Sequence, residues 1–142
     1  MKRLACVALM LLAAPAYPEE SFVTTLEGAA AACSITSSGE ATEAFLVGRD
    51  HGTSSSAYKA AIAKAFKKAK SCVDQEKPKM RPELKQALGK NPELKPAIIE
   101  AYAKWIGYMD WLSTPRDWLE ESQEKTSYEQ SINKLKAEID AL

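Results

Sequence analysis

The sequence predicts an all-α fold, a small bundle of four to six helices with one disulfide. Three observations carry this reading. Apolar residues recur at spacings of three and four along nearly the whole chain. No stretch alternates apolar and polar residues as a half-buried strand does. Two cysteines, Cys33 and Cys72, fall on the apolar faces of separate helical segments.

Residues 1–16 read as a leader. Lys2 and Arg3 precede an apolar run, Leu4 to Ala14, and Ala14-Pro15-Ala16 follows. A charged start, a short apolar core and an A-x-A site form the pattern of a secretory signal peptide. The run falls short of the roughly 20 apolar residues that span a bilayer. Cleavage is expected after Ala16, leaving a single helical domain at 17–142 in the periplasm or the external medium. No later segment is apolar enough for stable membrane insertion. The whole chain balances 19 basic against 19 acidic residues, and losing Lys2 and Arg3 leaves 17 against 19, a net charge of −2. Nucleic-acid binders carry a strongly basic surface instead, so no nucleic-acid partner is expected.

The first helical stripe is Phe22, Leu26, Ala29 and Cys33. Thr36 to Ser56 is rich in Ser, Thr and Gly and is expected to interrupt it. A short helix near Glu40–Val47, started by Ser37 or Ser38, would be followed by a loop over Gly48–Ser56. A second stripe then runs through Tyr58, Ile62, Ala65, Phe66, Ala69, Cys72 and Val73, with Lys64, Lys67 and Lys68 on the opposite side. Two helices packed on these faces would bring Cys33 and Cys72 together. An even pair of cysteines in an exported chain predicts a disulfide. Their separation is unlike the C-x-x-C of redox enzymes. Closing a loop of roughly 40 residues is worth roughly 4 kcal/mol in the chain-entropy account.

Pro78, Pro82, Pro92 and Pro96 punctuate the next stretch. They predict a short helix from about Pro82 to Leu88, ended by Gly89, and a new start after it. Pro-Glu-Leu-Lys occurs at 82–85 and again at 92–95, as punctuation rather than a solenoid repeat. The helix from Pro96 to Leu112 aligns Ile98, Tyr102, Trp105, Met109 and Leu112, with Ile99 and Ile106 widening the face. Thr114-Pro115-Arg116-Asp117 resembles a helix start, and Thr126-Ser127-Tyr128-Glu129 a capping box. Tyr128, Ile132, Leu135, Ile139 and Leu142 form the last stripe.

Candidate chemistry is sparse. His51 is the single histidine, with Asp50 before it and Ser54, Ser55 and Ser56 after it. A hydrolytic triad needs the base to bridge acid and nucleophile in space, and adjacent residues diverge. One histidine with no second ligand on a helix face defines no zinc site. The carboxylates Glu19, Glu20, Glu120, Glu121 and Glu124 could suggest glycoside hydrolysis but read as solvated faces. No catalytic residue, metal ligand or cofactor is therefore expected.

The aromatic region stands out. Trp111 falls on the side of its helix shared by Lys104 and Tyr108, away from Ile98 and Met109. Either residues 115–125 fold back over it, or Tyr108 and Trp111 form an exposed patch of the kind that anchors protein partners. Lys64, Lys67 and Lys68 would then serve as an electrostatic landing surface. The expectation is a non-enzymatic exported binding protein that occludes a protein partner, inhibitor- or immunity-like. The alternatives are a small cell-wall-acting hydrolase and a structural or chaperone-like envelope protein.

Overall fold

A computed structural model describes residues 18–115 and 122–142 of the chain, with side chains from residue 21 onward. The leader 1–16, Glu120 and Glu121 lie outside these residues, as do Arg116 and Asp117 of the helix start expected at Thr114–Asp117 and the side chains of Glu19 and Glu20. Among the described residues there are four α-helices: α1 (Pro18–His51), α2 (Ser56–Lys90), α3 (Lys95–Ser113) and α4 (Gln123–Asp140), with a 3-10 turn at Pro92–Leu94 between α2 and α3. The fold is all-α, as the stripes predict.

The interruption expected at residues 36–56 shrinks to residues 52–55, within the loop expected over Gly48–Ser56, and the short helix expected near Glu40–Val47 is part of α1. α1 runs unbroken for 34 residues, about 50 Å at 1.5 Å per residue. Composition misled here because packing overrides propensity. Ser37 and Ala44 are buried in this stretch. The hydroxyls of Thr36 and Thr42 donate to the carbonyls of Ala32 and Ser38, each at 3.0 Å, which ties polar side chains back onto the helix. The real loop is only residues 52–55. Gly52 ends α1 with φ +82°, a left-handed conformation that favours glycine. Ser55 caps α2 by accepting from the Tyr58 amide at 3.1 Å.

The break expected near Pro82 is also absent. α2 continues through Pro78 and Pro82 to Lys90. Each proline removes one backbone hydrogen bond and crowds the preceding turn. Both lie on the exposed side of the helix, while Met80 and Ala87 are buried on the other. Packing along that buried side holds the helix together. Pro96 does sit in the first turn of α3, where its missing N–H costs nothing. α4 starts one turn earlier than the capping box predicts: Ser122 is the cap and accepts from the Lys125 amide at 2.8 Å.

The helices run up, down, up and down, and α4 returns against both α3 and α1. Lys134 reaches Glu100 across α4 and α3, and Lys136 reaches Glu27 across α4 and α1, each at 2.7 Å. The core joins Phe22, Leu26 and Cys33 of α1 to Val73 and Met80 of α2, Ile98, Trp105, Met109 and Leu112 of α3, and Tyr128, Ile132 and Leu135 of α4. Ile99 (47% exposed) and Leu142 (71%) fall outside it, contrary to the stripe reading. Ile106 and Ile139 are only partly buried.

The disulfide is formed. Cys33 and Cys72 lie 5.5 Å apart between Cα atoms and join α1 to α2. Above this staple α1 and α2 pair in one antiparallel register: Glu40 with Lys68, Glu43 with Lys64, and Gly48 under the Tyr58 ring. Ala44, Ala65, Phe66 and Ala69 are buried along this hairpin, outside the main core cluster. α3 and α4, at 19 and 18 residues, are roughly half as long as α1 and α2. The α1–α2 hairpin therefore projects past Ser113 and Ser122 as an arm.

Candidate functional site: a groove along α1

One ridge of α1 consists of Glu27, Ala31, Ser34, Ser38, Ala41 and Phe45, spaced four, three, four, three and four. That spacing keeps all six on one side of the helix. The first five line two adjoining clefts of about 350 Å³ each. One cleft faces Trp111, Leu112 and Lys125; the other faces Tyr128, Glu129 and Lys125; Ser34 and Tyr108 belong to both. The result is a groove between α1 and the junction of α3 with α4. Its α1 wall is low because its middle residues are Ala and Ser.

Ile35 stands on the rim of this groove and is 73% exposed, and Phe45 continues the ridge past it at 68% exposed. Leu46 is 41% exposed and lies on the same side of α1 as Ile35. These apolar side chains were not identified from the sequence. The signal was there: continuing the Phe22–Cys33 stripe at helical spacing leads to Ser37, Ala44 and Gly48, and leaves Ile35, Phe45 and Leu46 off the buried side. The break assumed at residue 36 hid it.

The expected aromatic patch is corrected in part. Tyr108 is buried at 3% exposure, because α4 covers the side of α3 that the sequence left open. Its ring stacks on Tyr128 at 5.6 Å and on Trp111 at 6.1 Å between centroids. Trp111 is half-buried against the core. Tyr108 thus contributes to the groove floor and is no exposed anchor. Lys64, Lys67 and Lys68 lie on the arm, apart from the groove. Lys64 is bound by Glu43 at 3.1 Å and Lys68 by Glu40. Two of the three charges of the expected landing surface are therefore matched by α1 carboxylates. The hydrogen bond and charge of Glu43 hold the Lys64 ammonium above its ordinary pKa.

Of the groups weighed for catalysis, those among the described residues lie apart from the groove. His51 is exposed at the last turn of α1, Asp50 is paired with Arg49 at 2.8 Å, and Ser55 is committed to capping α2. Glu124 is exposed in the first turn of α4, where a carboxylate favours the helix dipole. No group of three or more His, Cys, Asp or Glu residues able to hold a metal occurs among the described residues.

The floor of the groove contains an anomaly. The Tyr128 hydroxyl is buried and has no hydrogen-bond partner. Burial, and then the charge of Glu27, raise its pKa well above the ordinary tyrosine value; Tyr108 and Glu129 add to the rise. Glu27 and Glu129 both line the same cleft as Tyr128.

No protein-family model matches the chain, and no curated protein and no solved structure matches it. The disulfide fits an oxidising compartment, and no helix among the described residues is long and apolar enough to cross a membrane.

Proposed function

We propose that the chain is an exported, non-enzymatic binding protein that occludes a protein partner in its α1 groove, as inhibitors and immunity proteins do. The leader pattern at residues 1–16 and the Cys33–Cys72 bond support export to the periplasm or the medium. The observation that carries the binding reading is the exposure of three large apolar side chains on α1: Ile35 on the groove rim, and Phe45 and Leu46 three turns further along the helix. Contiguous apolar exposure rimmed by polar residues marks interaction surfaces. Small residues at positions 31, 34, 38 and 41 let a partner's backbone approach α1 closely. From Glu27 to Phe45 the ridge spans about 27 Å at 1.5 Å per residue, enough for several turns of a partner helix.

The test is comparative capture from an envelope extract, with the wild type and with Phe45→Asp and Ile35→Asp as baits. One partner held by the wild type and lost at least tenfold by both variants, at unchanged melting temperature, supports the reading. Equal retention by all three baits overturns it. So does concentration-dependent self-association that Phe45→Asp abolishes, since the face would then belong to a second copy of the chain.

A further inference from the structure

The charges of the chain are segregated between its two long helices. α2 carries ten Lys or Arg against three Asp or Glu, whereas α1 carries one against six. The balanced total therefore conceals a strongly basic element. Five of the ten cations are already paired within the molecule. Lys64 and Lys68 are held by Glu43 and Glu40, Lys70 by Asp74, Lys77 by Asp110 and Lys79 by Glu76. Lys59, Lys67, Arg81 and Lys85 are exposed and make no ion pair among the described residues.

These four lie on one side of α2. Their spacings of eight, fourteen and four residues fall near whole helical turns, and the buried residues Phe66, Val73 and Met80 occupy the other side. The row runs for about 39 Å at 1.5 Å per residue. Exposed Ala60, Ala63, Ser71 and Pro78 lie between its members. The one α2 carboxylate on this side, Asp74, is tied to Lys70 at 2.7 Å. Along the row the gaps of about 12 and 21 Å are too wide for one small anion to bridge. They also exceed the Debye length of about 10 Å at 0.1 M salt. Each cation thus acts on the charge directly opposite it, and the complement must be anionic along the whole row. None of the large apolar side chains exposed among the described residues belongs to α2. A protein partner is anchored by such groups, whereas a layer of lipid headgroups is held by charge alone.

We infer that the outer face of α2 adsorbs to a bilayer surface rich in anionic phospholipid, with Lys59, Lys67, Arg81 and Lys85 each meeting headgroup phosphate and no helix inserting. The clefts of the α1 groove are lined by α1, α3 and α4 and by no residue of α2, so adsorption leaves the groove open. The inference goes beyond the partner reading and does not depend on it.

The probe is vesicles of phosphatidylcholine and phosphatidylglycerol in equal parts, co-floated with the full mature, disulfide-bonded chain at low salt. Vesicles of phosphatidylcholine alone are the control. Binding to the mixed vesicles should be at least tenfold stronger and should fall steeply as salt is added. Each cation near an anionic surface is worth about fivefold in affinity. Arg81→Gln with Lys85→Gln, and Lys59→Gln with Lys67→Gln, should therefore each weaken binding at least tenfold. Lys134→Gln with Lys136→Gln removes the same net charge from α4, which packs on α1 and α3 diagonally from α2, and should change binding less than threefold. The substituted side chains are all exposed, and melting temperatures check that each variant is folded. Equal binding to both kinds of vesicle, equal weakening by the α2 and α4 variants, or binding untouched by either α2 pair overturns the inference. So does a failure to bind the mixed vesicles at low salt. Polyglutamate held through the same four cations would then assign the face to an acidic protein instead.

Discussion

The indole N–H of Trp105, at the centre of α3, donates to the Leu26 carbonyl of α1 at 3.1 Å. Both residues are fully buried. The contact fixes how α3 sits against α1, and so sets the height at which Trp111 and Leu112, two turns further on, meet Ser37 and Ala41 across the groove. Trp105→Ala should destabilise the protein by about 3–5 kcal/mol, the range for emptying a large aromatic site. Trp105→Phe should cost less, losing part of the ring volume and a hydrogen bond worth about 1 kcal/mol. Denaturant midpoints distinguish the two. A neutral Trp105→Ala would mean that α3 is not anchored through this residue.

The staple has a similar check. Denatured, unreduced mature protein should contain no free thiol at Cys33 or Cys72. Replacing both by Ala should cost about 4 kcal/mol for the 39-residue separation. Two titratable thiols in the exported protein would defeat the disulfide assignment.

Much of this architecture is legible from side-chain spacing. The stripes through Phe22–Cys33, Ala65–Val73, Ile98–Leu112 and Tyr128–Leu135 are the buried faces of α1, α2, α3 and α4. The cysteine pairing follows from two of them. Helix ends were less legible, for a physical reason. Ser, Thr, Gly and Pro lower helix propensity locally, but α1 and α2 pack along their whole lengths, and that packing outweighs Gly39 in one and Pro78 and Pro82 in the other. The false break at residue 36 then concealed the exposure of Ile35 and Phe45. Tyr108 was misplaced because one helix's periodicity does not show that a later helix, α4, will cover its second side. The unpartnered Tyr128 hydroxyl has no sequence signature at all, since it depends on what surrounds the ring.

The arm contains two glycines that should respond oppositely. A Cβ at Gly39 would meet nothing within 4 Å, whereas one at Gly48 would lie 2.8 Å from the Tyr58 ring. Gly39→Ala should stabilise α1 by about 0.5–1 kcal/mol through helix propensity. Gly48→Ala should lose that gain to the clash. In a Tyr58→Ala background the clash is gone and Gly48→Ala should become stabilising. Thermal melts of the four combinations measure the coupling. Identical behaviour of the two glycines would mean that the arm does not close in this register.

The Lys134–Glu100 pair between α4 and α3 makes stability depend on pH at both extremes. Its hydrogen bond lowers the pKa of Glu100 and raises that of Lys134. A depressed carboxylate contributes stability above its unfolded value, near 4.3, and loses it as pH falls through the folded one. A raised ammonium contributes below about 10.4 and loses it as pH rises through the folded value. The coupling measured by a Glu100→Gln, Lys134→Met double-mutant cycle should therefore be present at neutral pH. It should fade in strong acid and strong alkali, and shrink with added salt because the pair is exposed. Coupling that persists unchanged in strong acid would show that the carboxylate charge is not its source.

Tyr128→Phe removes a buried hydroxyl that has no partner. An unsatisfied buried polar group costs about 1–3 kcal/mol, so the variant should be as stable as the wild type or more so. Its ring would keep its stacking on Tyr108. A loss of stability would mean that the hydroxyl is satisfied in the free protein.

The small residues of the ridge leave room for a docking segment against α1. Ser38 is exposed, lies midway along the groove and makes no contribution to the core cluster. Ser38→Trp should therefore fold with little change in melting temperature, since exposed substitutions usually stay within about 0.5 kcal/mol. It would nevertheless raise a bulky side chain between Glu27 and Phe45, where the wild type has only Ala and Ser, and hold a docking segment away from α1. Affinity for the captured partner should fall at least tenfold, with the loss in the dissociation rate, where interface changes usually appear. Lys67→Trp places the same bulk on α2, away from the groove, and should leave affinity unchanged. If Lys67→Trp abolishes binding and Ser38→Trp does not, the partner docks on the lysine side of the arm and the α1 groove is not its seat.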